Sequence, residues 1–201
     1  MVRRATLLAG TLVGGVGTLV ALMAKGRLTL DTGWGRTITP LRPMTLRIDA
    51  PRELVFDYLA SPYLGRTPRA MQEHLQVWER GTDMVVAAHF SRLQGYTAET
   101  VEAVRFERPD RISFRHLRGP VPHAEECFEL TDEDGATVLH YRGEVGLDFW
   151  GLGKLAAVAW VVPTWERTVR ASLDDSRSGA ETLAAARARR APTSRAAPDS
   201  P

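Results

Sequence analysis

The pair Asp134-Gly135 constrains the fold of this chain more than any other feature of its sequence. An Asp-Gly pair between two segments that alternate apolar and polar residues is the strongest short-range signal for a two-residue β-hairpin. It predicts a strand over 124–132 paired antiparallel with a strand over 136–148. A two-residue turn at this position places Leu130 opposite Leu139, and it fixes every other cross-strand pair of the hairpin.

A second hairpin, with its loop centred on Val121, extends the same sheet and places Phe114 opposite Phe128. Both hairpins put one set of apolar side chains on one face of the sheet, and this set consists of Ile112, Phe114, Phe128, Leu130, Leu139 and Tyr141. The same register puts His116 directly opposite Glu126 on this apolar face.

The remaining periodicities predict an α+β domain over 43–177. In chain order, its elements are a strand over 44–49, a helix over 51–61, a short helix over 66–71, about six antiparallel strands between 75 and 148, and a long helix over 150–177. Pro163 should kink the long helix. Because this helix is the only long element outside the sheet, it must cover the apolar face of the sheet.

Three segments of this domain carry a family resemblance. They are IDAPRELVFDYLASPYLGRTPR (48–69), VEAVRFERPDRISFRHLRGPVPHAEECFEL (101–130) and ATVLHYRGEVGLD (136–148), which precedes the long helix. Over about 44–177 the chain resembles the START-like superfamily, also called SRPBCC, and most closely its polyketide cyclase/dehydrase and lipid-transport branch. The resemblance implies a helix-grip fold, in which a curved antiparallel sheet wraps around the C-terminal helix and encloses a deep apolar cavity. It does not imply one activity, because the superfamily includes lipid carriers, hormone-binding proteins, cyclases and hydrolases.

The amino-terminal residues 5–24, ATLLAGTLVGGVGTLVALMA, contain no charged side chain and have basic residues on both sides. Twenty residues in a helix span about 30 Å, the thickness of a bilayer's hydrocarbon core. This predicts a transmembrane helix between a basic tail, 1–4, and a linker, 25–42. The alternative is a cleaved signal peptide, whose apolar region is usually shorter. We expect a single-pass membrane protein, with a slight preference for an extracytoplasmic domain.

The distribution of charge argues against nucleic-acid binding. Residues 43–177 carry 16 basic and 21 acidic side chains, so the net charge of +2 arises from the two basic ends of the chain. A nucleic-acid site needs Lys and Arg clustered on the fold itself. The tail over 178–201, rich in Ala, Arg, Pro and Ser, is predicted to be disordered. The single cysteine, Cys127, allows no internal disulfide, and no residue spacing indicates a metal or another cofactor.

The candidate site residues follow from the predicted register and the resemblance. The side chains expected to line the cavity are Ile112, Phe114, Phe128, Leu130, Leu139, Tyr141, Trp160 and Trp165. His116 and Glu126 form either a catalytic acid–base pair facing the cavity or a buried ion pair with a structural role only. His123, Arg66 and Arg69 are candidates for the cavity rim, although a solvated surface is the simpler interpretation of both arginines.

Together these observations predict a membrane-anchored binding or carrier protein for a hydrophobic, lipid-like or polycyclic small molecule. The alternative function is a cyclase or dehydratase that uses His116 and Glu126. A third hypothesis is a structural membrane protein whose interior is filled. The expected partners are the apolar ligand and the membrane, and the sequence leaves the oligomeric state open.

Overall fold

The computed structural model of the protein describes residues 18–19, 21–93 and 95–190. Within these residues the chain forms an eight-stranded sheet and a long C-terminal helix. The strands are β1 (Thr37–Pro40), β2 (Met44–Ile48), β3 (Leu75–Arg80), β4 (Met84–Leu93), β5 (Tyr96–Glu107), β6 (Arg111–Arg118), β7 (His123–Glu133) and β8 (Ala136–Leu147). The helices are α1 (Arg52–Leu64), a 3-10 turn (Arg69–Met71), α2 (Trp150–Ala156), a π-helical turn (Ala157–Val161) and α3 (Val162–Arg190).

All neighbouring strands pair antiparallel, in the order β1-β8-β7-β6-β5-β4-β3. β8 is long enough to pair with two short strands along the same edge, β1 near its carboxyl end and β2 near its amino end. Six strands that follow one another along the chain are therefore also neighbours in the sheet, as a series of hairpins requires. The predicted α+β fold, a curved antiparallel sheet with a long C-terminal helix, is confirmed.

The hairpin at Asp134-Gly135 has the predicted register, with Leu130 opposite Leu139 and Phe128 opposite Tyr141. Both turn residues have positive φ, 55° and 77°, as the type I′ turn requires and as Asp and Gly tolerate. The local turn chemistry was therefore sufficient to fix this register.

The register predicted for the preceding hairpin is wrong by two residues. Ile112 lies opposite Phe128 and Phe114 lies opposite Glu126. The hairpin turns about Pro120, next to Gly119, whose N–H and carbonyl both bond the Thr29 hydroxyl at 2.8 Å. Loop length alone could not reveal this contact. A shift of two residues keeps each side chain on its face but changes its partner.

Helix α1 continues past its predicted end before Pro62 and ends at Leu64. Pro62 has no N–H to donate to the carbonyl of Tyr58, one turn earlier. The hydroxyl of Ser61 donates to that carbonyl instead, at 3.0 Å, so the helix passes through the proline.

One end of the sheet's concave face is closely packed against α1 and the carboxyl-terminal half of α3. The side chains at this end that are at most 1% exposed include Ile48, Val55, Phe56, Ile112, Leu139 and Tyr141. Leu173 and Ala180 of α3 belong to the same core. The amino-terminal half of α3 covers the other end of the face.

Helix α3 runs to Arg190, beyond the predicted boundary at 177. Its extension is docked, since Ala180 is fully buried and the Glu181 carboxylate accepts the N–H of Asp49 at 3.2 Å. The prediction of disorder from 178 is therefore wrong up to 190, and residues 191–201 lie outside the described residues. The interruption predicted at Pro163 takes the form of the π-helical turn that directly precedes it.

The transmembrane helix predicted over 5–24 falls largely on residues 5–17 and 20, which lie outside the described residues. Among the described helices, none combines the length and the apolar character needed to cross a bilayer. Within the described residues, the expectation of a single-pass membrane protein is therefore contradicted.

The segment predicted as a linker, 25–42, packs against the domain and includes β1. We refer to residues 21–36 as the N-terminal strap. The carbonyl of Lys25 accepts the N–H of Glu99 on β5 at 3.0 Å. Further along the strap, the N–H groups of Thr32 and Gly33 donate to the buried carboxylate of Asp148, at 2.8 and 2.9 Å. Hydrogen bonds therefore hold the strap to the domain near both of its ends.

Candidate ligand cavity

A cavity of about 410 Å3 lies between the concave face of the sheet and the amino-terminal half of α3. Strands β4 to β8, the end of α1 and the π-helical turn supply most of its wall, and Met23 and Ala24 of the strap complete it. The wall is predominantly apolar, with a few polar groups from Tyr63, His89, Glu102 and Glu126. This combination of size and lining is typical of a small-molecule site.

Four of the side chains expected in the cavity line it, namely Phe114, Phe128, Trp160 and Trp165. The other four lie in the packed core at 2% exposure or less, and they are Ile112, Leu130, Leu139 and Tyr141. All four share the concave face but lie under α1 and the carboxyl-terminal half of α3. The face could be predicted from alternation, whereas the division of that face between core and cavity depends on where the helices dock.

The three residues considered for the rim lie elsewhere. Arg66 and Arg69 are exposed in the segment that follows α1. The ring of His123 bonds the Glu144 carboxylate, with Nε2 and Oε1 2.9 Å apart. In the described part of the chain, none of these three belongs to the cavity wall.

A chain of three polar side chains joins α1, β4 and β5 at the cavity. The Tyr63 hydroxyl lies 2.9 Å from His89 Nε2, and His89 Nδ1 lies 3.1 Å from Glu102 Oε2. Burial acts to lower the pKa of His89, but the Glu102 carboxylate outweighs it and the net shift is upward. The pKa of Glu102 is lowered in turn, because the attraction of His89 exceeds the effect of burial. The two therefore form a buried ion pair.

Tyr63 remains a phenol at physiological pH, because burial and the nearby Glu102 and Glu126 carboxylates raise its pKa. When His89 is protonated, its Nε2–H donates to the Tyr63 oxygen. The phenolic hydrogen is then available to an acceptor inside the cavity.

Glu126 on β7 faces the cavity and accepts a 2.6 Å hydrogen bond from the Tyr141 hydroxyl. Burial, reinforced by Glu102, raises the pKa of Glu126 to about 7, and hydrogen bonds from Tyr141 and Trp165 oppose this shift. Among the described residues no basic side chain lies within 4 Å of its carboxylate. Near neutral pH this carboxyl is thus present both protonated and ionised.

His116 does not pair with Glu126 as the predicted register requires. It lies opposite Glu102 on β5, and its ring contacts the edge of Trp165 with centroids 6.4 Å apart. Burial lowers the pKa of His116, so the ring is neutral at pH 7. Of the predicted pair, only Glu126 lines the cavity in the described part of the chain.

A family model described as "Polyketide cyclase / dehydrase and lipid transport" matches residues 44–181. The chain belongs to this family. The match covers strands β2 to β8 and most of the C-terminal helix, and it leaves the N-terminal strap and β1 outside. The resemblance drawn from the three sequence segments is therefore confirmed.

Solved structures show that this member of the polyketide cyclase/dehydrase and lipid transport family has the helix-grip fold. A protein from Thermus thermophilus aligns over 72% of this chain and 99% of its own, with a TM-score of 0.58 and 15% identity. Norcoclaurine synthase from Thalictrum flavum aligns over 72% and 87%, with a TM-score of 0.57 and 12% identity. The di-domain ARO/CYC protein BexL of the BE-7585A biosynthetic pathway aligns over 73% of this chain and 50% of its own, with a TM-score of 0.55 and 20% identity. No curated protein matches the chain.

The candidate residues named from the sequence do not include three polar members of the cavity, Tyr63, His89 and Glu102. A signal for Glu102 was present, because it is the one charged residue in the alternating series Ala98, Thr100, Glu102, Val104 and Phe106. A carboxyl on an apolar strand face is a candidate for a site. No comparable signal existed for Tyr63, whose position depends on the docking of α1.

Proposed function

We propose that the chain binds an apolar, ring-bearing small molecule between its sheet and its C-terminal helix. The observation that carries this proposal is the cavity of about 410 Å3, whose wall is predominantly apolar. Aromatic side chains from several elements line its interior, among them Phe114, Phe128 and Trp165. Such a wall favours flat apolar ligands, since aromatic pairs gain about 0.5–1.5 kcal/mol beyond the burial of their area.

The binding test compares two phenylalanine substitutions on the same strand. Ala98 is 5% exposed and lines the cavity, whereas Thr97 is exposed on the opposite face of β5. Ala98→Phe should fill part of the cavity, and Thr97→Phe should leave it open. Melting temperatures and native mass spectra of the full chain would be recorded with a panel of polycyclic and lipid-like compounds.

We expect some of these compounds to raise the melting temperature of the wild type and of Thr97→Phe, but not of Ala98→Phe. Binding of a ligand to the folded state alone raises stability by about 2.7 kcal/mol at one hundred times its Kd. Equal stabilisation of both variants would show that the ligand binds elsewhere. If no compound stabilised the wild type, the proposal would fail.

A second candidate function is an acid–base enzyme of the cyclase or dehydratase type, favoured by the state of Glu126. A buried carboxyl with a pKa of about 7 is suited to take a proton from an enolisable ligand near neutral pH. The Tyr63 hydroxyl would donate to the carbonyl of such a ligand. His116 would act indirectly, as a positioning residue, through its contacts with Glu102 and Trp165.

The catalytic hypothesis is tested by incubating the full chain with linear polyketone precursors and following loss of water by mass spectrometry. The rate should rise with pH through about 7 and drop by 100-fold or more in Glu126→Gln. An unchanged rate in that variant would exclude Glu126 as the base. If the precursors bound but were not converted, the catalytic hypothesis would fail and the proposed binding function would stand.

A further inference from the structure

We infer that the ligand carries an amine, whose ammonium group pairs with Glu126 inside the apolar cavity. This inference rests on the proposed binding function and names the chemical class of its ligand.

Among the described residues, two carboxyls line the cavity, and they differ in their partners. Glu102 has a counter-ion, since His89 Nδ1 lies 3.1 Å from it. Among the residues that the structure describes, Glu126 accepts hydrogen bonds only from uncharged donors, the Tyr141 hydroxyl at 2.6 Å and the Trp165 indole. A buried carboxylate without a counter-ion is costly, and a cation that reaches it gains strength from the absence of water. Within the described residues the protein supplies no such cation.

The side chains around Glu126 also suit a ligand cation. Phe114 lies opposite Glu126 on the neighbouring strand, and Phe128 follows it on the same face of β7. The two rings lie 5.1 Å apart between centroids in an edge-to-face arrangement, and both line the cavity. An ammonium group over an aromatic face gains about 0.5–2 kcal/mol. An alcohol of the same shape gains neither this energy nor the ion pair.

The titratable groups near Glu126 come from four further elements: Tyr63 on α1, His89 on β4, Glu102 on β5 and Tyr141 on β8. Beyond these, His116 on β6 acts on Glu102, and Glu166 on α3 acts on Tyr141. His89 and Glu102 largely neutralise each other. Loss of the His89 proton at higher pH would make the cavity more negative, which also favours an ammonium ligand.

Amine binding should therefore strengthen as Glu126 ionises. A simple alkylamine remains protonated throughout the range of pH 6 to 8, so Glu126 supplies the main change. With its pKa at about 7, the ionised fraction of Glu126 rises about tenfold over this range. Amine affinity should rise by the same factor, and the affinity of an uncharged analogue should not.

The experiment compares two probes that differ in one group, 2-(2-naphthyl)ethylamine and 2-(2-naphthyl)ethanol. Calorimetry would measure their binding to the full chain at pH 6, 7 and 8. The same titrations would be made with Glu126→Gln, which retains an acceptor for Tyr141. Glu125→Gln is the control, because Glu125 is the neighbouring residue on β7 and is exposed.

We expect the amine to bind at least about tenfold more tightly than the alcohol at pH 8, a difference of about 1.4 kcal/mol. This preference should shrink at pH 6, disappear in Glu126→Gln and persist in Glu125→Gln. If the alcohol bound without any amine preference, the inference would be overturned and the binding function would survive. If neither probe bound, the inference would be overturned, and the wider compound panel would decide the proposed binding function. The pH series on the wild type tests the inference without any variant. The inference can therefore be refuted even if Glu126→Gln misfolds.

Discussion

Replacement of Glu126 by Gln should change how the free energy of unfolding depends on pH. The carboxyl has an ordinary pKa of 4.5 in the unfolded chain and a pKa of about 7 in the folded protein. Between these values the folded state binds more protons than the unfolded state. The free energy of unfolding must therefore fall as pH rises through this range.

The size of the effect follows from the two pKa values. At 1.36 kcal/mol for each tenfold change, the full penalty on folding is about 3 kcal/mol, and about 2.5 kcal/mol of it develops between pH 5 and pH 8. Gln cannot ionise, so the variant lacks this penalty. Relative to the wild type, Glu126→Gln should gain about 2.5 kcal/mol of unfolding free energy over the same range.

Urea denaturation followed by tryptophan fluorescence would provide the free energy of unfolding at half-unit intervals of pH. Glu125→Gln, on the opposite face of the same strand, controls for the general effect of an amide at this position of the sheet. Glu126 attracts the His89 proton as Glu102 does, so the His89 ring would be titrated by NMR in all three proteins and its contribution to the difference subtracted. A constant difference between Glu126→Gln and the wild type from pH 5 to pH 8 would refute the reasoning.

Three further outcomes are expected. In Glu102→Gln the pKa of His89 should fall below 6.5, because burial remains and the attracting carboxylate is gone; an unchanged NMR titration of its ring would contradict the ion pair. Asp148→Asn should cost about 2 kcal/mol of unfolding free energy at pH 7 through lost charge-assisted hydrogen bonds to the strap. That loss should shrink below pH 4, since the hydrogen bonds from Arg36 and Thr32 lower the pKa of Asp148 to about 2 against the opposing effect of burial. A loss independent of pH would contradict this account. Ala180→Leu should lose about 1–3 kcal/mol by overpacking, and the same change at exposed Ala185 should be nearly neutral; equal effects would show that α3 is not docked beyond 177.

The fold could be predicted from the sequence where the information is local. Asp134 and Gly135 specify their turn by backbone preference, and alternation then assigns each side chain of the hairpin to a face. The preceding hairpin lacks such a turn, and its register depends on Thr29, which lies 90 residues away from Gly119 in the chain. The predicted register of that hairpin was wrong by two residues. Each side chain was therefore assigned to the correct face of the sheet, but His116 was paired with the wrong residue.

Only part of the candidate site could be predicted from local sequence patterns, because the site is assembled from elements that are distant in sequence. Glu126 could be located by its hairpin, and it lines the cavity. Its functional neighbours belong to α1, β4 and β5, and no local pattern brings Tyr63 within 2.9 Å of His89. Charge on an alternating apolar face was the one signal that could have added Glu102.

The N-terminal strap lies outside the 44–181 region that defines the family. A domain trimmed to that region would lose Met23 and Ala24 from the cavity wall, and Asp148 would be left without the strap groups that donate to it. It would present a more open cavity, beside a carboxylate that has lost the hydrogen-bond donors of the strap. Ligand screens on such a trimmed domain would therefore measure a different cavity from that of the intact chain. Its entrance would be wider and its affinity for small ligands lower.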